Sequence, residues 1–128
     1  MREEELNIYR TIRVDYDYFY EQSRLHTDWV NPVADISNKI YFLNQFRCHL
    51  PYAITDELLL VLDNVSPLFN QVQGIEIQDL NEGEAIYPVI REIFDRLRGN
   101  VKRFRETATS KFMHMTLPNL FYSWVHAA

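Results

Sequence analysis

Four basic residues raise the first question of chemistry. Arg91, Arg98, Lys102 and Arg105 follow one another at intervals of seven, four and three. On a continuous helix they fall within an arc of about 60°. Regularly spaced Arg and Lys on one face can track a phosphate backbone without reading its sequence, so these four are the candidate polyanion-binding residues. Residues 91–111 carry seven basic against three acidic side chains, a local charge of +4, whereas the remainder carries six basic against fifteen acidic, or −9. All fifteen of those carboxylates lie in the first 90 residues. Charge supply therefore favours pairing of the basic arc with carboxylates of neighbouring helices. The pI near 5.3 also lies far below the value above ~9 of a typical nucleic-acid-binding domain.

Other reactive residue types fall in patterns that do not build a site. Asp15 and Asp17 look like paired carboxylates, but on a helix they point about 200° apart and cannot share a proton or a metal. Cys48 and His49 are neighbours, and adjacent helical side chains diverge by about 100°, too far for a nucleophile and its base. Cys48 reads better as a small core residue. The four histidines, His26, His49, His114 and His126, have no zinc or di-iron spacing. Three scattered glycines leave no phosphate-cradling loop of either common kind. The expectation is no catalytic residue, no metal and no cofactor, hence a protein that is not an enzyme.

A second kind of candidate is apolar. Eight tyrosines are present, and tyrosine is enriched at interface cores. In a first helix expected over about Glu3–Ser23, Tyr9, Ile12, Tyr16 and Phe19 make one helical face. Val14, Tyr18 and Leu25 fall on the opposite side. A helix apolar on two faces is ordinarily central in a bundle; the alternative is that one face awaits another chain. Val14, Tyr18 and Leu25, with Phe121 and Trp124 of the apolar last segment, are the candidate protein interface.

The elements that must position these residues are helices. Asn31-Pro32 has the chemistry of a helix start, Asn as cap and Pro at the first position. Val33, Ile36, Ile40, Leu43 and Phe46 then keep the 3.6-residue period, and Pro51 ends that helix at or before Leu50. Thr55, followed by Asp56 and Glu57, opens a third helix. Ser66-Pro67 opens a short fourth, closed by Gly74. Ile75-Glu76-Ile77 is too short to support a sheet and reads as an extended connection. Asn81 and Glu84 have capping-box spacing, and Pro88 sets a start or a kink. From Ile86 through Ile90, Phe94, Leu97, Val101, Phe104, Ala108 and Phe112 to Met115 the apolar residues stay within an arc of about 100°. That phase favours one long helix to about Thr116, with two helices joined by a Gly99-Asn100 turn as the alternative. Pro118 begins a last apolar segment that packs back on the bundle or joins an interface.

The resulting expectation is an all-α fold: a compact bundle of about five helices with one long helix in the C-terminal half, a single domain over 1–128. A hydrophobic share of 47% suffices for a packed core and excludes a disordered chain. The longest apolar run, Leu58–Leu62, falls far short of the ~20 residues that span a bilayer, and Met1–Glu5 is not the charged start of a secretory leader. One cysteine and no leader fit a reducing cytoplasm. The leading functional expectation is a non-enzymatic protein-binding module, a small complex subunit or an inhibitor or immunity-type protein whose acidic surface steers a partner. The alternative is a nucleic-acid-contacting subunit that uses the basic face of residues 91–111. Homo-oligomerisation stays open.

Overall fold

In a computed structural model of the chain, the structure describes residues 17–77 and 80–127. The helices, in chain order, are α1 over residues 17–26, α2 (Ile36–Gln45), α3 (Thr55–Val72), α4 (Leu80–Asn100), α5 (Glu106–Thr116) and α6 (Pro118–Val125), with a 3₁₀ turn at Tyr52–Ile54 before α3. No strand occurs among the described residues, and residues 75–77 are an irregular connection. The all-α class and the bundle of about five helices stand. Helices α3 and α4 form the main pair; α5 and α6 pack on α4 and on each other, and α2 joins α3 to α5. One hydrophobic cluster runs through all of them, from Trp29 to Phe121.

Several expected boundaries move. The chain does not become helical at Pro32. Asp28 Oδ1 accepts hydrogen bonds from the amides of Val30 and Asn31, both at 3.1 Å. Asn31 Oδ1 accepts from the Val33 amide at 3.2 Å. Asp35 is left-handed, with φ of +53°, which separates this turn from α2. Asn31-Pro32 thus supplies capping chemistry to a turn rather than to a helix. Thr55 does open α3, but its hydroxyl donates to the Tyr52 carbonyl at 2.7 Å instead of accepting from a helical amide.

Ser66-Pro67 starts no new helix, because Pro67 lies inside α3, and Pro88 likewise lies inside α4, which already begins at Leu80. An interior proline costs ~3 kcal/mol because it frees the carbonyl four residues back. At both sites that earlier residue, Asp63 or Glu84, and the proline itself are exposed, so water can take the freed carbonyl. Meanwhile Leu62, Val65, Phe69 and Val72 in α3, and Ile90, Ile93 and Leu97 in α4, are fully buried. Each such side chain contributes ~1.5–3 kcal/mol, and together they outweigh the proline.

The long helix ends early. It stops at Asn100, and α5 begins at Glu106, so the expectation of one helix to Thr116 is overturned in favour of two. The break is not the Gly99-Asn100 turn, since both residues are still helical. Glu57 of α3 accepts the Lys102 amide at 2.7 Å; a continuing helix would aim that amide at the Arg98 carbonyl. Arg103 then turns left-handed, with φ of +66°. The apolar stripe survives the break: Val101, Phe104, Ala108 and Phe112 are all buried. A connection that returns Phe104 to the core after Val101 keeps the same residues inside as a straight helix would.

Helix α1 is not central in the described structure. Phe19 and Tyr20 pack on the core, and the Tyr20 ring lies 6.0 Å from that of His114 on α5. Tyr18 and Leu25 stay exposed. The expected start of this helix, with Tyr9, Ile12, Val14, Asp15 and Tyr16, lies outside the described residues. No described helix is long and apolar enough to cross a membrane.

Candidate functional site

The helix break rearranges the basic residues. Arg91 and Arg98 sit two turns apart on α4, but Lys102 and Arg105 belong to the connection between α4 and α5. The four do not form one stripe. Arg91 lies beside Tyr87, Trp124 and Val125 at the end of α6. Arg98, Lys102 and Arg105 instead surround an open cleft of about 420 Å³, together with Arg103, Glu57 and Asn100. The sequence arc omitted Arg103 because a straight helix points it away from the others. The run Lys102-Arg103-x-Arg105 would have signalled it once a loop was assigned there.

Pairing is divided among these cations. Arg98 Nη2 is 3.8 Å from Asp95 Oδ1 and Nη1 is 3.4 Å from Glu106 Oε1. Its guanidinium also lies over the Phe94 ring, 5.8 Å from the centroid. Arg96 Nε donates to Glu92 Oε1 at 2.7 Å and Nη1 to Asn64 Oδ1 at 2.9 Å. These carboxylates come from α4 itself and from the start of α5, not from the acidic first 90 residues. Glu57, an early carboxylate that does reach the cleft, takes a backbone amide. Lys102, Arg103 and Arg105 are exposed, and none has an ion pair among the described residues.

A second hollow adjoins the cleft. Glu57 and Asn100 also line a groove of about 440 Å³ between α3 and α4, whose other walls are Leu60, Val61, Asn64 and Arg96. Leu60, one turn beyond Glu57, is 73% exposed. One end of the depression is therefore apolar and the other basic.

The apolar candidates separate in the same way. Tyr18 is 56% and Leu25 67% exposed, and a spacing of seven residues puts both on one side of α1. Tyr20 and the fully buried Ser23, whose hydroxyl accepts the Trp29 indole N–H at 2.6 Å, lie on the opposite side. Phe121 is a core residue: it is buried, with its ring stacked 6.4 Å from Phe94 and 5.7 Å from Trp124. Trp124 is half-buried over Phe94, and the exposed large apolar side chains of α6 are Tyr122 and Val125. Val14 lies outside the described residues.

Comparison with family models, with curated proteins and with solved structures gives no match.

The remaining titratable groups have structural surroundings. Burial pushes the Cys48 thiol up, against the pull of Lys111. His49, in left-handed backbone and exposed, is not its base. Burial, then Lys111 and Arg24, lower His114. Lys39 is wholly buried, and its Nζ donates to the carbonyls of Asn31 and Pro32 at 2.6 and 3.1 Å. That ammonium fastens the turn before α2. Among the described residues no three His, Cys, Asp or Glu side chains gather as metal ligands would.

Proposed function

We propose that the chain is a non-enzymatic protein-binding module of the cytoplasm, a complex subunit or an inhibitor-type protein. The observation that supports it best is the exposed side of α1. Tyr18 and Leu25 stand together on one face of a helix whose opposite side is packed on the bundle. Single exposed apolar residues are ordinary on protein surfaces. Two large ones in helical register, one of them tyrosine, are what an apolar helix or groove of a partner would cover. The excess of carboxylates over the rest of the chain would steer a basic partner toward it.

The test is a photo-crosslinking amino acid placed at position 25, with position 38 on exposed α2 surface as control, followed by capture from the source cells with and without nuclease. A protein adduct that forms from position 25, not from 38, and ignores nuclease supports the reading. An adduct from neither position overturns it. Lys102, Arg103 and Arg105, which have no ion pair among the described residues, favour a second reading, contact with nucleic acid through the α4–α5 connection. Capture that disappears with nuclease is the outcome belonging to that reading.

A further inference from the structure

The depression formed by the loop cleft and the α3–α4 groove has two chemistries in series, and the division of the charges says which ligand suits both. Arg96 and Arg98 are engaged by Glu92, Asn64, Asp95 and Glu106. Lys102, Arg103 and Arg105 have no ion pair among the described residues and can meet an incoming anion. Glu57 stands at the junction of the two halves, lining both. One of its carboxylate oxygens holds the Lys102 amide, and the other can accept an amide from a ligand. Beyond it Leu60, 73% exposed, offers an apolar contact.

We propose that this depression binds an acidic, apolar-anchored peptide segment of a partner protein, laid in extended form from α3 to the α4–α5 connection. An apolar side chain of the segment rests on Leu60 and Val61, a backbone N–H meets Glu57, and its carboxylates meet Lys102, Arg103 and Arg105. Charge complementarity selects this occupant over a nucleic acid. A phosphate backbone carries charge at every residue and would pass the carboxylates of Glu57 and Glu106 on the same path. A peptide can place an amide and an apolar group there and reserve its carboxylates for the basic end. This surface is separate from the α1 face, so it extends the interaction reading and fails independently of it.

The experiment is selection from a displayed random dodecapeptide library on the full chain. Binding of the selected peptides is then measured by fluorescence anisotropy to wild type, to Leu60→Asp and to the triple variant Lys102→Gln/Arg103→Gln/Arg105→Gln. All four positions are exposed, so far-UV circular dichroism should match wild type. The expected result is a set of peptides that pair Asp or Glu with a large apolar residue, each weakened about tenfold or more by either variant. Absence of any enriched peptide, or peptides indifferent to both variants, overturns the proposal. Binding of oligothymidylate that the triple variant abolishes and Leu60→Asp leaves intact overturns it in favour of nucleic acid. Self-association in light scattering that Leu60→Asp removes overturns it in favour of a second copy of the chain. Adducts from position 25 that persist alongside any of these failures leave the α1 reading standing.

Discussion

Lys39 shows how one residue can tie a turn to a core. Its alkyl stem and ammonium are wholly buried, and the charge is tolerated because two carbonyls accept its hydrogen bonds and Trp29 offers its ring, 5.5 Å away. Burial lowers its pKa from 10.5 to about 8, with Asp28 and Asp35 resisting the fall. Between those two values the unfolded chain holds a proton that the folded chain has released, so stability rises with pH across that window. Below about pH 8 both states are protonated and the full cost of burying the charge is present. Lys39→Met removes this titration. In urea unfolding at several pH values, wild type should gain on Lys39→Met between pH 8 and 10, by on the order of 2–3 kcal/mol. Parallel pH profiles for the two proteins would show that the buried ammonium does not titrate in this range. Leu97 and Phe104 test the core in a simpler way. Both are fully buried, and truncation of either to Ala should lower unfolding stability by ~2–5 kcal/mol. A loss below half a kcal/mol would place that residue outside the core.

At the scale of the element, Gly99 makes the clearest prediction. It lies inside α4, and a Cβ added there meets no atom within 4 Å. Gly99→Ala should therefore stabilise the protein by ~0.5–1 kcal/mol, the helix-propensity difference. Gly83 in the same helix should not behave this way, because its Cβ would come 2.7 Å from the Tyr87 ring. Gly83→Ala should gain less than Gly99→Ala or lose stability, and thermal unfolding of the pair decides it. The same helix shows what was legible in the sequence and what was not. The apolar period picked out Ile90, Leu97, Val101, Phe104, Ala108, Phe112 and Met115, all buried, but it missed the equally buried Ile93 and Met113 and included Phe94, which is only partly buried. It could not locate the break, because the residue that holds the break open is Glu57, forty-five positions earlier in the chain. Pro67 and Pro88 misled in the other direction. Local propensity marks both as boundaries, whereas the buried Phe69 and Ile90 that follow them hold the helix together. Of the candidate sites, the basic side chains were visible as residue types. Their grouping around a cleft with Leu60 was not, since it depends on how α3 lies against α4.

At the scale of the whole molecule, the question is whether the parts cohere. The hydrophobic cluster is continuous from Trp29, beside the turn before α2, through α3 and α4 to Leu120 and Phe121 in α6. Trp29 meets Phe112 edge-on at 5.9 Å, Phe112 meets Phe104 at 5.8 Å, and Trp124 and Phe121 both pack on Phe94. The two tryptophans therefore have different ring partners in one packed body, Phe112 for Trp29 and Phe94 with Phe121 for Trp124, and each reports its own surroundings. If the core is a single cooperative unit, both surroundings should melt together, as small domains ordinarily do. Trp124→Phe leaves Trp29 as the fluorescent reporter, and Trp29→Phe leaves Trp124. Trp29→Phe should lower stability by ~1–3 kcal/mol in addition, because Ser23 is fully buried and loses the indole N–H it accepts. The decisive comparison is within each variant. Fluorescence and far-UV circular dichroism should give superimposable urea transitions in both proteins, whatever their midpoints. If Trp124 fluorescence changes at lower urea than the helical signal, α6 detaches before the rest unfolds. The chain would then be a stable bundle of the earlier helices carrying a labile C-terminal helix, rather than one domain.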